Sequence, residues 1–131
     1  MKRLGGKSIL IIDDNAGMLR ALDKVLTGEG ASVISSAWAA DAIEILTARQ
    51  EWIDLVITDL RMPLLTGMTV VYAVHEVFPE LPVIVLTAFG SPDVKDECLR
   101  QGAMAVLEKP LNTSQLLNVI EDVFASQKEG L

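Results

Sequence analysis

The stretch VITDLRMP, residues 56–63, places Asp59 directly after an apolar run. Asp13 and Asp14 follow the run SILII in the same way, and Thr87 follows PVIVL. Glu108, Lys109 and Pro110 follow AVL. Each has an ordinary reading. Asp14 or Asn15 could cap a helix, Asp59 could form a turn, Thr87 could be a β-branched strand residue, and Lys109 could be a surface lysine. Together they read differently, because carboxylates gathered at one place repel one another. At about 4 Å and an effective dielectric near 20, each like-charge pair costs roughly 4 kcal/mol before screening. A divalent cation relieves that repulsion. The donors are hard oxygens with no His or Cys beside them, which suits Mg²⁺ (or Mn²⁺) and disfavours Zn²⁺. An ammonium and a hydroxyl beside a metal-bound carboxylate can hold the oxygens of a phosphoryl group. The chemistry implied is phosphoryl transfer to a carboxylate nucleophile, Asp59, with Lys109 and Thr87 neutralising and positioning charge.

Such a cluster needs a scaffold that brings distant segments together. Five short β-rich runs recur, at 8–12, 32–35, 55–58, 82–86 and 105–107. Several are apolar without alternation, the pattern of strands covered on both faces. Helical spacing falls between them. Met18, Leu19, Leu22, Val25 and Leu26 mark a helix over about 16–29, ended by glycines. Ile43 and Leu46 mark one over 39–49. Val70, Val74 and Val77 mark one over 66–78, stopping before Pro79. Val94, Cys98 and Leu99 mark one over 91–101. Leu116, Leu117, Ile120, Val123 and Phe124 mark the last, over 113–126, with Asn112 or Thr113 as its N-cap. Strictly alternating strands and helices predict a parallel sheet with helices on both faces and right-handed crossovers. In such a sheet ligands bind beyond the carboxyl ends of the strands, where these acids, the threonine and the lysine fall.

The 131 residues suit one domain, and half are hydrophobic. No apolar run approaches the roughly 18 positions of a membrane span, and the leader MKRLGGKS lacks the apolar segment of a secretory signal. One cysteine, Cys98, excludes an internal disulfide and suits a reducing cytoplasm. The net charge of −7 argues against direct binding of nucleic acid. Lys2, Arg3 and Lys7 read as part of a solvated tail. The expected organisation is a tail over 1–7, a domain over 8–126, and a second tail or the start of a linker over 127–131, the chain being either complete in itself or, the reading preferred, a piece of a longer protein. His75 reads as an ordinary helix residue, Cys98 as a small apolar contact, and Trp38 and Trp52 as packing residues or loop covers.

The segments ILIIDDN, DLVITDLRMPLLTG, VIVLTAFG and GAMAVLEKPL, in this order and spacing, resemble the receiver domain of bacterial two-component response regulators. The resemblance covers residues 8 to about 125. It implies a single doubly wound, flavodoxin-like α/β domain, with a five-stranded parallel sheet in the order 2-1-3-4-5 and five helices. It implies that Asp59 accepts a phosphoryl group from the phosphohistidine of a sensor histidine kinase or phosphotransfer protein. It further implies that Asp14, Asp59 and the backbone carbonyl of Arg61 hold Mg²⁺, that Asp13 acts through a metal-bound water, and that Thr87 and Lys109 contact the phosphoryl oxygens. Lys109–Pro110 is expected to be cis, and Gly67 to let the loop after strand three turn closely into its helix. The responding surface, which also serves homodimers, would be helix four, strand five and helix five.

Two departures bear on switching. The family usually carries Tyr or Phe three residues before the lysine, where this chain has Val106. A valine cannot make the inward turn of an aromatic ring, so signalling is expected to use the fourth helix and the loop before it, or to be weak. Phe89 and Arg61 are expected to hinder the attacking water and lengthen the phosphoaspartate lifetime. The competing readings are a constitutive interaction module that has lost the chemistry, an aspartate phosphatase and a flavin protein. A phosphatase wants D-x-D where the chain has DLR, and a flavin protein wants a phosphate loop where it has the acidic DDNAG.

Overall fold

The computed structural model describes residues 2–49, 52–60, 67–88 and 90–129. Among the described residues five strands and five helices alternate. They are β1 (Ser8–Ile12), α1 (Ala16–Gly28), β2 (Ser32–Ser36), α2 (Ala39–Arg49), β3 (Leu55–Asp59), α3 (Gly67–Val77), β4 (Val83–Thr87), α4 (Pro92–Arg100), β5 (Ala105–Glu108) and α5 (Thr113–Glu129). All pairings are parallel, in the order β2-β1-β3-β4-β5. This is the doubly wound, flavodoxin-like sheet.

Side chains on a strand alternate between faces, and here both faces are apolar, so two cores form. Ile9, Ile11, Leu55, Ile57, Ile84 and Leu86 pack with Leu22 and Leu26 of α1 and with Leu116, Ile120 and Val123 of α5. Leu10, Ile12, Val56, Val83 and Val85 pack with Ala42 and Leu46 of α2, Val70, Val71 and Val74 of α3, and Cys98 of α4. Every residue of β3 and β4 is buried. That explains their unbroken apolar runs, and each large side chain so buried contributes roughly 1.5–3 kcal/mol.

Helix starts follow capping chemistry. The Asn15 side chain accepts from the Met18 N–H at 3.0 Å, the Ser91 hydroxyl from the Val94 N–H at 3.3 Å, and the Asn112 side chain from the Gln115 N–H at 3.0 Å. Each satisfies an N–H that the first turn leaves without a helical partner. Of the two candidates for the last helix, Asn112 is therefore the cap.

Four expectations change. Val77 is 64 % exposed, at the end of α3, where it lines an open cleft with Ile53, Phe78 and Pro82. Leu99 is exposed, on the outer side of α4 beside Asp96 and Arg100. Trp38 and Trp52 are exposed as well, at 49 % and 69 %. The leader is not a solvated tail. Leu4 is buried in the α1–α5 core, and its N–H donates to the Glu29 carbonyl at 2.8 Å. Lys2 Nζ donates to the Gly28 carbonyl at the end of α1 at 2.8 Å. Arg3 pairs with Glu121 and donates to Asn118 of α5, and Lys7 lies 4.7 Å over the Phe124 ring. The basic residues are thus spent on the two helices beside them.

Candidate functional site

The carboxyl ends of the strands carry the polar residues. Ile12 and Thr58 end the pairing of β1 with β3, which brings Asp13 and Asp59 to one edge. Asp59 stands opposite Leu86, one residue before Thr87, and Thr87 stands opposite Glu108. The Lys109 N–H donates to the Thr87 carbonyl at 2.8 Å, extending the ladder by one bond and carrying the Lys109 side chain to the same edge. Lys109–Pro110 is cis, as expected.

One carboxylate oxygen from each of Asp13, Asp14 and Asp59 lies within 4.8 Å of the others. Asp13 and Asp59 are buried, and Asp14 is exposed at the mouth. Lys109 Nζ donates to Asp13 Oδ2 at 2.9 Å and pairs with Asp59 Oδ1 at 3.3 Å. Asp13 is fixed further through its other oxygen, which accepts the Asn15 N–H at 2.9 Å, and through its own N–H, which donates to the Ser36 carbonyl at 3.1 Å. The Asp59 carbonyl accepts the hydroxyl of buried Thr58 at 3.0 Å. Gly67 explains why α3 can begin so close. Its N–H donates to the Leu60 carbonyl at 2.9 Å, and a Cβ there would collide with the Asp59 carbonyl and lie 2.8 Å from Leu60 Cα.

Burial raises the pKa of Asp59 above its usual value and the charge of Asp13 raises it further, while Lys109 offsets part of the shift. For Lys109, burial works against the charged form. The hydrogen bond and charge of Asp13, joined by Asp59, outweigh it and raise its pKa. Asp59 is thus a carboxylate whose charge is costly, in a cluster where three carboxylates face one ammonium. Three hard oxygen donors, two of them buried, fit a divalent cation of the Mg²⁺ class.

Asp13, Asp14, Asp59, Thr87 and Lys109 therefore share one edge of the sheet. Arg61 and Phe89 lie outside the described residues. Val106 is half-buried in β5, and His75 is exposed on α3 with its ring against Gly102. Sequence reasoning assigned nothing to Thr58 or Ser36, whose bonds hold the backbones of Asp59 and Asp13. For Thr58 the available signal was a hydroxyl residue at the end of an otherwise apolar strand, whereas Ser36 acts through its backbone carbonyl, which leaves no trace in residue type.

Comparison with known proteins agrees with this geometry. The family model described as the response regulator receiver domain matches residues 9–121. The transcriptional regulatory protein GlrR of Escherichia coli K12 is 38% identical over 114 residues, which cover 87% of this chain and 25% of that protein. The chain thus spans about a quarter of the length of this curated relative. A response regulator receiver domain protein from Clostridium thermocellum superposes with a TM-score of 0.89 at 30% identity, covering 95% of this chain and 99% of that one. CheY of Borrelia burgdorferi, crystallised with CheX, BeF₃ and Mg²⁺, superposes with a TM-score of 0.87 at 28% identity, covering 90% and 89%.

Proposed function

The chain belongs to the response regulator receiver family, and on that premise we propose that Asp59 is its phosphoacceptor. An Asp59 carboxylate oxygen attacks the phosphorus of a phosphohistidine on a kinase or phosphotransfer protein. The new O–P bond forms as the P–N bond breaks, and the electron pair of that bond returns to the imidazole. The observation that carries this reading is the Lys109 ammonium set between Asp13 and Asp59 inside a three-carboxylate cluster. A stabilising role alone does not favour a buried acidic cluster with so little compensation.

Asp13, Asp14 and Asp59, with the Arg61 carbonyl, are the residues that would hold Mg²⁺. The ion would supply the positive charge that a phosphoryl group adds a need for. Lys109 and the Thr87 hydroxyl take the phosphoryl oxygens, and Lys109 also keeps Asp59 oriented beforehand. Phosphorylation adds charge that these few groups alone can meet. A handful of charge-assisted hydrogen bonds at roughly 1.5–3 kcal/mol each approaches the roughly 5.5 kcal/mol that inverts a 1:99 population. The surface that responds is α4, β5 and α5, where exposed Leu99 and Met104 suit a second copy or a docked partner. Phe89 and Arg61 keep their proposed role in slowing hydrolysis, and an unchanged decay rate in Phe89→Ala would remove it for Phe89.

Acetyl phosphate and Mg²⁺ are expected to add one phosphoryl group, seen by intact mass, and Asp59→Asn to abolish it. Labelling that persists in Asp59→Asn would move the acceptor elsewhere. No labelling of the wild-type chain would favour the constitutive interaction module.

A further inference from the structure

Glu108 and Lys109 are neighbours at the end of β5 with separate surroundings. The Lys109 side chain enters the acidic cluster, while Glu108 lies over the loop between β4 and α4. The Glu108 carboxylate occupies the space beside Gly90, where a Cβ would come within 2.6 Å of Glu108 Oε1 and Cγ. The same Oε1 pairs with Lys95 Nζ of α4 at 2.9 Å. The loop is therefore fastened at Thr87, Gly90 and Ser91. The Thr87 carbonyl accepts the Lys109 N–H, Gly90 lies under Glu108, Ser91 caps α4, and the first turns of α4 are tied back to β5 through Lys95.

We infer that Glu108 and Lys95 are positioning residues of the phosphoacceptor site, a latch that holds Thr87, Gly90, Ser91 and α4 in place while Asp59 is an unmodified carboxylate. The inference rests on the proposed role of Asp59. Filling the pocket beside Asp59 draws on Thr87 and Lys109, and both belong to the backbone that Glu108 fastens. A displacement of Thr87 or Lys109 is thus felt at Gly90 and at the Lys95–Glu108 pair, and through Lys95 at α4. The latch opposes that displacement. Half-buried Val106, an aliphatic side chain on the same strand, forms no hydrogen bond that could take its place. Gly90 belongs to the device, since any side chain there would lift Glu108 off the loop.

The test is the affinity of the whole chain for beryllofluoride with Mg²⁺, which on a carboxylate stands in for the phosphoryl group, measured by calorimetry. The pair is exposed to solvent and its effect is accordingly small. Glu108→Gln and Lys95→Gln should each tighten binding by about two- to fivefold. The double variant should tighten it no more than either single one. The charge-swapped pair, Glu108→Lys with Lys95→Glu, should return it toward wild type. The Lys95 variant separates the latch from a simple field effect. Removing a cation near an anion site weakens anion binding by electrostatics alone, whereas releasing a latch strengthens it. Tightening in Glu108→Gln with weakening in Lys95→Gln overturns the latch, and so do additive effects or none. Wild-type protein that binds no beryllofluoride sinks the reading of Asp59 and the latch with it. Normal wild-type binding with unaltered variants sinks the latch alone.

Discussion

The ammonium of Lys109 stands nearer to Asp13, at 2.9 Å, than to Asp59, at 3.3 Å. The lysine is bonded to the acid that is not the proposed acceptor and leans toward the one that is. This arrangement leaves Asp59 oriented while one of its oxygens stays free of a short bond to Lys109. Replacing the cation should therefore damage chemistry more than folding. Lys109→Met is expected to slow phosphorylation by acetyl phosphate by about 100-fold, the scale of losing a preorganised donor to developing charge. Loss of less than about threefold, by quantitative mass spectrometry over time, would place Lys109 outside the reaction.

The raised pKa of Asp59 has a consequence for stability with a defined sign. The folded state holds the Asp59 proton more tightly than the unfolded chain, whose value is near 3.8. The contribution of this group to stability is thus complete below that value and is lost as pH rises through the raised folded value. At neutral pH the charged carboxylate is a burden that Asp59→Asn removes. The variant should melt a few degrees above wild type at pH 7, and the gap should close as the solution is acidified below the ordinary carboxylate range. Mg²⁺ should narrow it too, by stabilising the wild type more: ligand at about 100 times its dissociation constant contributes roughly 2.7 kcal/mol. A gap that widens on acidification would contradict the assigned shift.

The meeting of the candidate site residues at one edge was readable from sequence because they sit at the ends of runs that announce themselves. β3 and β4 are buried on both faces, so LVIT and VIVL show no alternation, and a parallel topology brings the residue after each run to one edge. Asp13, Asp59, Thr87 and Lys109 were placed by that rule together with the family resemblance. Other contacts leave no periodic trace. Leu4 is a single apolar residue among lysine, arginine and glycine, and its burial depends on a hollow between α1 and α5 that only the assembled domain has. Trp38 and Trp52 show the converse, since large apolar bulk does not determine where a residue ends up. The meeting of Glu108 with Gly90 joins a side chain to a loop backbone, and spacing cannot express it.

Gly67 should be intolerant of even the smallest side chain. Its neighbours at the crowded point are backbone atoms of Asp59 and Leu60, which cannot rotate away as a flexible side chain would. Gly67→Ala therefore forces α3 away from β3 or moves Asp59 itself. Destabilisation of about 1–3 kcal/mol is expected in urea, together with slower labelling of Asp59 at a denaturant concentration where the variant is still folded. An alanine variant of wild-type stability and labelling rate would show that the start of α3 is free to relax.

The packed leader yields the last prediction. Leu4 is 1 % exposed and joins a core shared by α1 and α5, while Arg3 and Lys7 reach α5 and Lys2 reaches the end of α1. The apolar contact and the polar ones should differ in weight. Leu4→Ala leaves a cavity and is expected to cost about 2–4 kcal/mol. Lys7→Ala loses a cation–π contact at the surface, worth about 0.5–1 kcal/mol, and Arg3→Ala loses an exposed ion pair worth no more than about 1 kcal/mol. None touches the acidic cluster at the carboxyl edge, so all three should bind Mg²⁺ and accept phosphate as wild type does while folded. Deleting residues 1–7 should then destabilise at least as much as Leu4→Ala. A deletion without effect on the unfolding midpoint would return the leader to the status of a solvated tail.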